Sequence, residues 1–530
     1  MNYRDLLKKN GYEGLPMLLR IGDEFVELTK EAEEVEPMEY KVVSTDNPSG
    51  NRAYERSICF LLIRAVNKIN SQARVSIEHS ISRGLFCELS GLETSPKILD
   101  KIKAEMTRLV EQDIPIIPKE VKKAQALQIF KDMGHDEIVR LFETAQFNEI
   151  KLYELDGMTG FFYGPLAANT GDLKHFDLVP YKAGFVLMYP SQSIPDRVPE
   201  FYPQDKLYEI FRETGEWDII LGATDLGELN QAILSGGGKR IISVAEGLHE
   251  KKYASIADSI KKKGNVRIIL IAGPSSSGKT TSSKRLAVQL MVNGMKPYPI
   301  EMDNYFVDRD KSPLLADGSL DFESIQAINL KQFNKDIRRL IAGETVTPPY
   351  FDFKQGLSLP GEHQLTIPED GIIIIEGIHG LNPGLLSDVP EKFKFKFYVS
   401  ALTQLNMDLH NRISTTDVRK IRRIVRDHRR RGWTSEETLI QFAKVMAGEK
   451  QYIFPYQEQA DEMFNSTLIY ELAVLKKHAL PLLTEIKPES PAYDEARRLI
   501  ALLNFVLDLP DDLVPANSIL REFIGGSFFD

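Results

Sequence analysis

"RIILIAGPSSSGKTTSSKRL", residues 267–286, decides the fold of the second half of this 530-residue chain. Gly273, Gly278, Lys279 and Thr280 meet the spacing G-x-x-x-x-G-K-[ST]. The apolar, β-branched run just before it reads as a strand buried on both faces. "KTTSSKRLAVQLMVNG" after it reads as a helix with a glycine at its C-terminal end. Glycines let backbone N–H groups turn inward around an anion, and the helix N-terminus adds partial positive charge. Gly273, Pro274, Ser275, Ser276, Ser277, Gly278, Lys279, Thr280 and Thr281 are therefore expected to hold the phosphates of ATP or GTP. Lys279 would reach the β- and γ-phosphates and the Thr280 hydroxyl would ligate Mg²⁺. The implied class is α/β, a P-loop NTPase parallel sheet flanked by helices.

Three further stretches fit that frame. "KPYPIEMDNYF" brings Asp303 to the C-terminal end of the next strand, on the cleft side, where it can accept a hydroxyl proton or hold the metal. "GIIIIEGIHGLN", residues 371–382, is a second doubly buried strand that ends in Glu376, placed to assist Mg²⁺. In "DVRKIRRIVRDHRRRG", residues 417–432, Arg419, Arg422, Arg423, Arg426 and Arg430 fall at steps of three and four. Like charges on one helical face repel unless an anion joins them, so the stripe reads as a lid over phosphates. Arg426 is counted with Lys279 and Asp303 among the catalytic groups, Arg422 and Arg423 among the nucleotide-binding ones. His379 and His410 lie near the expected cleft as isolated, structural histidines.

A net charge of −10 argues against general coating of nucleic acid or membrane. Cys59 and Cys87 are the only cysteines, which excludes a disulfide framework and suits a reducing compartment. The opening "MNYRDLLKKNGYEGL" lacks a signal-peptide core and no run of 18 apolar residues occurs, so a cytoplasmic protein without membrane contact is expected.

The stretches "GPSSSGKTT", "MDNYF", "DFESIQAI", "PPYFDF", "IIIEGIHGL" and "RRIVRDHRRRG" occur in the order seen in uridine–cytidine kinases of the phosphoribulokinase/uridine kinase superfamily, which residues 265–482 resemble. The resemblance implies phosphorylation of a nucleoside 5′-hydroxyl in pyrimidine salvage, with ATP or GTP and Mg²⁺. It places Asp303 as general base, Glu323 on the ribose hydroxyls, and Tyr305, Tyr350, Phe351 and Arg419 about the substrate. Where such kinases read the base with a Tyr and a His, this chain has Phe351 and Gly356, which removes hydrogen bonds that would reject a wrong base. A phosphoribulokinase-like sugar acceptor therefore stays open.

Residues 51–190 resemble the second additional (editing) domain of threonyl-tRNA synthetases through "ERSICFLLIRAVNKI", "GLFCEL" and "FFYGPLAANTGDLKHFDL". Residues 1–50 resemble a small TGS-like domain, so the N-terminal region is expected to be α+β. At the metal-type positions of the editing domain stand Phe60, Arg64, Phe162 and Leu166, none a Zn²⁺ ligand. Lost hydrolysis with retained RNA or tRNA contact is one implication, and a scaffolding or self-associating region is the other. A nucleotide-dependent RNA-binding regulator is thus an alternative to a nucleoside kinase. A buried Arg64 must reach solvent or an anion. Residues 191–264 are expected to connect the halves, and 483–530 to form a helical tail that docks elsewhere.

Overall fold

The structure is a computed structural model and describes residues 1–12, 14–22, 24–32, 40–315, 318–352, 354–403 and 405–529. The chain opens with helix α1 (Tyr3–Lys9) and strands β1 (Pro16–Ile21), β2 (Glu24–Glu27) and β3 (Tyr40–Ser44), an antiparallel sheet in the order β2-β1-β3. Part of "IGDEFVELTKEAEEVEP", residues 21–37, a short acidic stretch of residues 1–50, lies outside the described residues. Asn47 caps α2 (Pro48–Ile69), which begins about two turns before the stretch "ERSICFLLIRAVNKI" that it contains, where Pro48 is pre-set for a first helical turn. A four-stranded sheet, β4-β5-β10-β9, packs against α2 and α3 (Pro96–Glu111); its strands are β4 (Arg74–Ile81), β5 (Gly84–Ser90), β9 (Asp177–Tyr181) and β10 (Gly184–Met188). Between them lie β6 (Ile116–Lys122), α4 (Lys123–Asp132), α5 (Asp136–Thr144), β7 (Glu149–Leu155) and β8 (Met158–Gly160).

Most of the expected connecting segment is helical: α6 (Asp205–Leu221), α7 (Leu226–Leu234) and α8 (Gly238–Lys263). Its glycines punctuate these helices; Gly222, for example, is a left-handed C-cap. Helix α8 packs on the phosphate-loop helix, where Tyr253 donates to the Ser282 hydroxyl at 2.8 Å and Arg285 pairs with Glu246 and Glu250.

In the second half, five parallel strands run in the order β12-β15-β11-β16-β17. They are β11 (Ile268–Ala272), β12 (Lys296–Glu301), β15 (Gly371–Glu376), β16 (Lys394–Ser400) and β17 (Glu462–Asn465). All five residues of β11 are buried, as a central strand covered on both faces requires. The helices are α9 (Lys279–Val292), α10 (Leu330–Ile341), α11 (Thr415–Arg431), α12 (Ser435–Tyr452), α13 (Glu471–Thr484), α14 (Tyr493–Leu503) and α15 (Arg521–Ile524), with a hairpin of β13 (Tyr350–Asp352) and β14 (Leu357–Leu359). This is the expected parallel sheet flanked by helices. One buried cluster extends from Ala126 and Phe142 through Ile256, Ile269 and Val418 to Leu499 and Phe523, so the two halves share a core. The loop between β16 and α11 ties them further: Ile77 N donates to Leu409 O at 2.8 Å and Tyr163 N to Asn411 Oδ1 at 2.9 Å. Among the described residues no helix is long and apolar enough to cross a membrane.

Candidate active site

The phosphate loop runs from the end of β11 into α9. A Cβ on Gly273 would lie 1.9 Å from Val399 O, so only glycine lets the loop lie against β16. Ser276 (φ 59°) and Gly278 (φ 81°) are left-handed, which folds the backbone around a concave face. The Ser276 and Ser277 hydroxyls are buried without a protein partner. Loop curvature, orphaned hydroxyls and an open helix end fit a polyphosphate. Lys279 Nζ rests on Pro274 O at 3.4 Å, within its own loop.

The Thr280 hydroxyl donates to Glu376 Oε2 at 3.3 Å, joining the helix start to the end of β15. This hard-oxygen pair suits Mg²⁺. Burial pushes the Glu376 carboxyl up to about 7; Lys279 opposes the shift, while Asp303 and Glu522 add to it. Asp303 sits just past β12, solvent-accessible at the cleft mouth. The surrounding protein raises its pKa, against the pull of Lys279 and Arg431. Glu323 is likewise raised to about 7 by burial and by Glu449, and also feels Lys279 and Asp303. Four of the expected residues, Lys279, Asp303, Glu323 and Glu376, thus act on one another electrostatically.

The arginine stripe does not form an exposed lid. Arg419 and Arg422 are 3% and 0% exposed and ion-paired to Glu449 and Glu471. They donate to the carbonyls of Ser275 (2.9 Å) and Ser276 (3.3 Å), so they brace the loop from behind and do not face a nucleotide or substrate. The self-repulsion inferred from spacing is relieved by buried carboxylates supplied by distant segments. Arg423 donates to the Ser275 hydroxyl at 2.6 Å. Arg423, Arg426 and Arg431 share the single carboxylate of Asp427, at 3.1, 2.8 and 3.5 Å, which leaves net positive charge beside the loop. Burial, with Arg426 and Arg431 nearby, draws Arg423 down to about 10 against the pull of Asp427.

Tyr305 is also corrected. It is 1% exposed, stacked edge-on to Phe333 at 5.0 Å and beside Asp336, a core position with no face for substrate. Tyr350 is 55% exposed and Phe351 buried against Phe306. Gly356 is left-handed (φ 71°), and a Cβ there would come within 2.8 Å of the Arg309 side chain. His379 is fully buried beside Tyr452. His410 is not at this cleft; it stacks on Phe162 in the N-terminal half, with its pKa drawn down to about 3 by burial.

Three carboxylates that act here carry no local motif. Glu449 accepts from Ser275 N at 2.7 Å, Asp427 gathers three arginines, and Glu522 accepts from Thr281 N and Oγ1 at 3.3 and 2.8 Å. The tail thus docks on the phosphate loop; a Cβ on Gly278 would meet Ile519 at 2.8 Å. Only Asp427, four residues before Arg431 and after Arg423, could have been picked out by spacing.

In the N-terminal half Phe60 and Phe162 pack at a tilt with centroids 4.9 Å apart, Leu166 is buried, and a pocket of about 10 Å³ remains beside the two rings. Arg64 finds its anion within the chain, Asp156 at 2.9 Å. Among the described residues no three or more His, Cys, Asp or Glu side chains gather as a metal site.

Residues 268–470 match the family model described as Phosphoribulokinase / Uridine kinase family. A uridine kinase of Halalkalibacterium halodurans is 29% identical over 195 residues, 37% of this chain and 83% of that one. A threonine–tRNA ligase of Teredinibacter turnerae is 29% identical over 140 residues, 26% of this chain and 22% of the ligase, the match lying in the N-terminal region. The chain spans about a quarter of the length of the threonine–tRNA ligases it matches. A solved structure described as a possible uridine kinase from Bacillus stearothermophilus aligns with 40% of this chain and 98% of its own, at 16% identity and a TM-score of 0.28. The C-terminal half has the P-loop kinase fold, and residues 268–470 within it carry the match to this family.

Proposed function

We propose that the protein transfers the γ-phosphoryl group of ATP or GTP to the 5′-hydroxyl of a nucleoside, uridine or cytidine by default. The observation that carries this reading is the Thr280–Glu376 contact at 3.3 Å, in electrostatic reach of Lys279 and Asp303. Asp303 accepts the 5′-hydroxyl proton as the oxygen attacks. Lys279 and the Asp427-linked group Arg423, Arg426 and Arg431 offset charge on the transferred phosphoryl. Glu323 binds the ribose hydroxyls. Thr280 and Glu376 would hold Mg²⁺, which when bound supplies positive charge to the phosphate oxygens.

A second acceptor class, a sugar phosphate, is favoured by Arg309. Its side chain packs on Gly356, bringing a cation where pyrimidine kinases present a histidine. The full-length protein should be incubated with ATP, Mg²⁺ and a panel of nucleosides and pentose phosphates, and the products read by mass spectrometry. A nucleoside 5′-monophosphate supports the first reading and a sugar bisphosphate the second. ATP hydrolysis stimulated by RNA, without either product, would replace both with a regulator.

A further inference from the structure

A cavity of about 1000 Å³ lies where the β1–β3 sheet, the start of α2 and α14 meet, away from the phosphate loop. One wall carries Arg52 and Arg56, a turn apart on α2, and Arg498 of α14. Arg498 is committed to Asp417 and Glu495. Arg52 lies 3.4 Å from Glu495 and donates to the Ser49 hydroxyl at 3.1 Å. Arg56 is the exception. It donates through Nε and Nη2 to Pro165 O at 3.1 and 2.8 Å and forms no ion pair with any described residue. Gly164 (φ 118°) lies flat against it, since a Cβ there would come within 2.9 Å of the Arg56 guanidinium carbon. The backbone thus pre-positions this cation.

Burial, together with the neighbouring Arg52, draws Arg56 down to about 10, and Arg52 is lowered by burial and by Arg498. Stacking like charges in a protein wall is costly unless an anion joins them. Of the four acidic residues in the lining, Glu27 pairs with Lys151 at 2.9 Å, Asp494 with Arg20 at 3.4 Å and Glu24 with Arg497 at 3.9 Å; Glu120 is the fourth. Phe25, Val26, Ile117 and Pro118 give the same cavity apolar lining. A charged head against planar forks and a flat body on an apolar wall describe a compact organic phosphate, and the volume admits a mononucleotide.

We infer that this junction cavity binds a phosphorylated small molecule of mononucleotide size, its phosphate held by Arg56 and Arg52. Arg498, on the same wall, pairs with Asp417 at the start of α11, whose arginines brace the phosphate loop. Arg498 thus links the cavity wall to the helix that braces the phosphate loop.

The test is calorimetric titration of the full-length protein with inorganic phosphate, uridine 5′-monophosphate and adenosine 5′-monophosphate. At least one mononucleotide should fill a site whose Kd rises tenfold or more in Arg56→Gln, while any binding at the kinase cleft remains. Arg56→Lys, which keeps the charge and loses the fork, should weaken that site threefold to tenfold, and it carries the test if Arg56→Gln does not fold. Identical isotherms in the wild type and a folded variant would overturn the inference. So would Arg56-dependent binding of a 5′-phosphorylated oligoribonucleotide with none of the small phosphates. Binding is read here without turnover, so the result stands apart from the choice of acceptor.

Discussion

The Glu522 carboxylate accepts hydrogen bonds from the hydroxyl and backbone N–H of Thr281, at 2.8 and 3.3 Å, across 241 positions of chain. The first N–H groups of a helix have no acceptor within it, and in α9 the tail satisfies one that an incoming phosphate would otherwise find. Glu522 also pushes the Glu376 carboxyl upward, so its charge is felt at the metal-type pair.

Glu522→Gln keeps an acceptor for Thr281 and removes the charge. ATP affinity should rise by roughly threefold to tenfold, about 0.7–1.4 kcal/mol, as measured by calorimetry. A fall in affinity would mean that the carboxylate shapes the loop and does not compete with phosphate.

Asp303→Asn preserves shape and removes the proton acceptor, so kcat should drop by roughly 10²–10⁴ with little change in ATP affinity. A loss confined to KM would reduce Asp303 to positioning. Lys279→Ala should abolish transfer in a folded protein, checked by turnover beside a melting curve.

Glu323 and Glu376 are both held up to about 7, above the ordinary 4.5. The folded protein therefore keeps protons that the unfolded chain releases, and this contribution to stability falls as pH rises from about 4.5 to 7. Without nucleotide or metal, Glu376→Gln should melt roughly 1–3 °C above the wild type at pH 8, the gap closing by pH 5. A lower melting point at pH 8 would show that Thr280 and Lys279 stabilise the ionised carboxylate.

A fragment of residues 265–482 should aggregate or melt far below the full chain. It lacks α8, α14 and the tail, which contribute Tyr253, Ile256, Leu499 and Phe523 to the shared core. Calorimetry of the intact protein should show one transition. A soluble, cooperative fragment would mean that the second half folds alone.

The full-length protein should not hydrolyse seryl-tRNA, because Phe60 and Phe162 stand at metal-type positions and the pocket of about 10 Å³ beside them is no larger than one water, with His135 of its lining already held by Arg74 and Glu137. Arg64 is held by Asp156, so Arg64-dependent deacylation in a filter-binding assay would overturn this reading.

The parallel sheet and the phosphate loop were legible because their signals are local. Isoleucine runs mark strands buried on both faces, and the glycines at 273 and 278 sit where backbone must approach backbone or turn left-handed. Thr280 and Glu376, on different elements, were paired by the loop's chemistry alone, and they do meet. The arginines of α11 misled for the opposite reason. Spacing shows that they share a face, but Glu449 and Glu471, which neutralise Arg419 and Arg422, come 30 and 49 residues later. Tyr305 was lost to the core because a tyrosine beside Asp303 reads alike whether it turns toward substrate or toward Phe333.

The clasp between Thr281 and Glu522 also sets an order of events in time. At roughly 5–20 residues per second, ribosomal synthesis reaches Glu522 about 10–50 s after Thr281. Contacts as distant in sequence as Tyr163 with Arg498 and Asn406 with Ile77 must close as well, so the fold is rich in the long loop closures that slow folding. Through that interval the nascent phosphate loop stands without its carboxylate partner, and a nucleotide arriving then would meet the helix start unopposed. If nucleotide binds the loop as proposed, its presence during translation should therefore favour folding of this chain, read as a higher yield of native protein in cell-free synthesis.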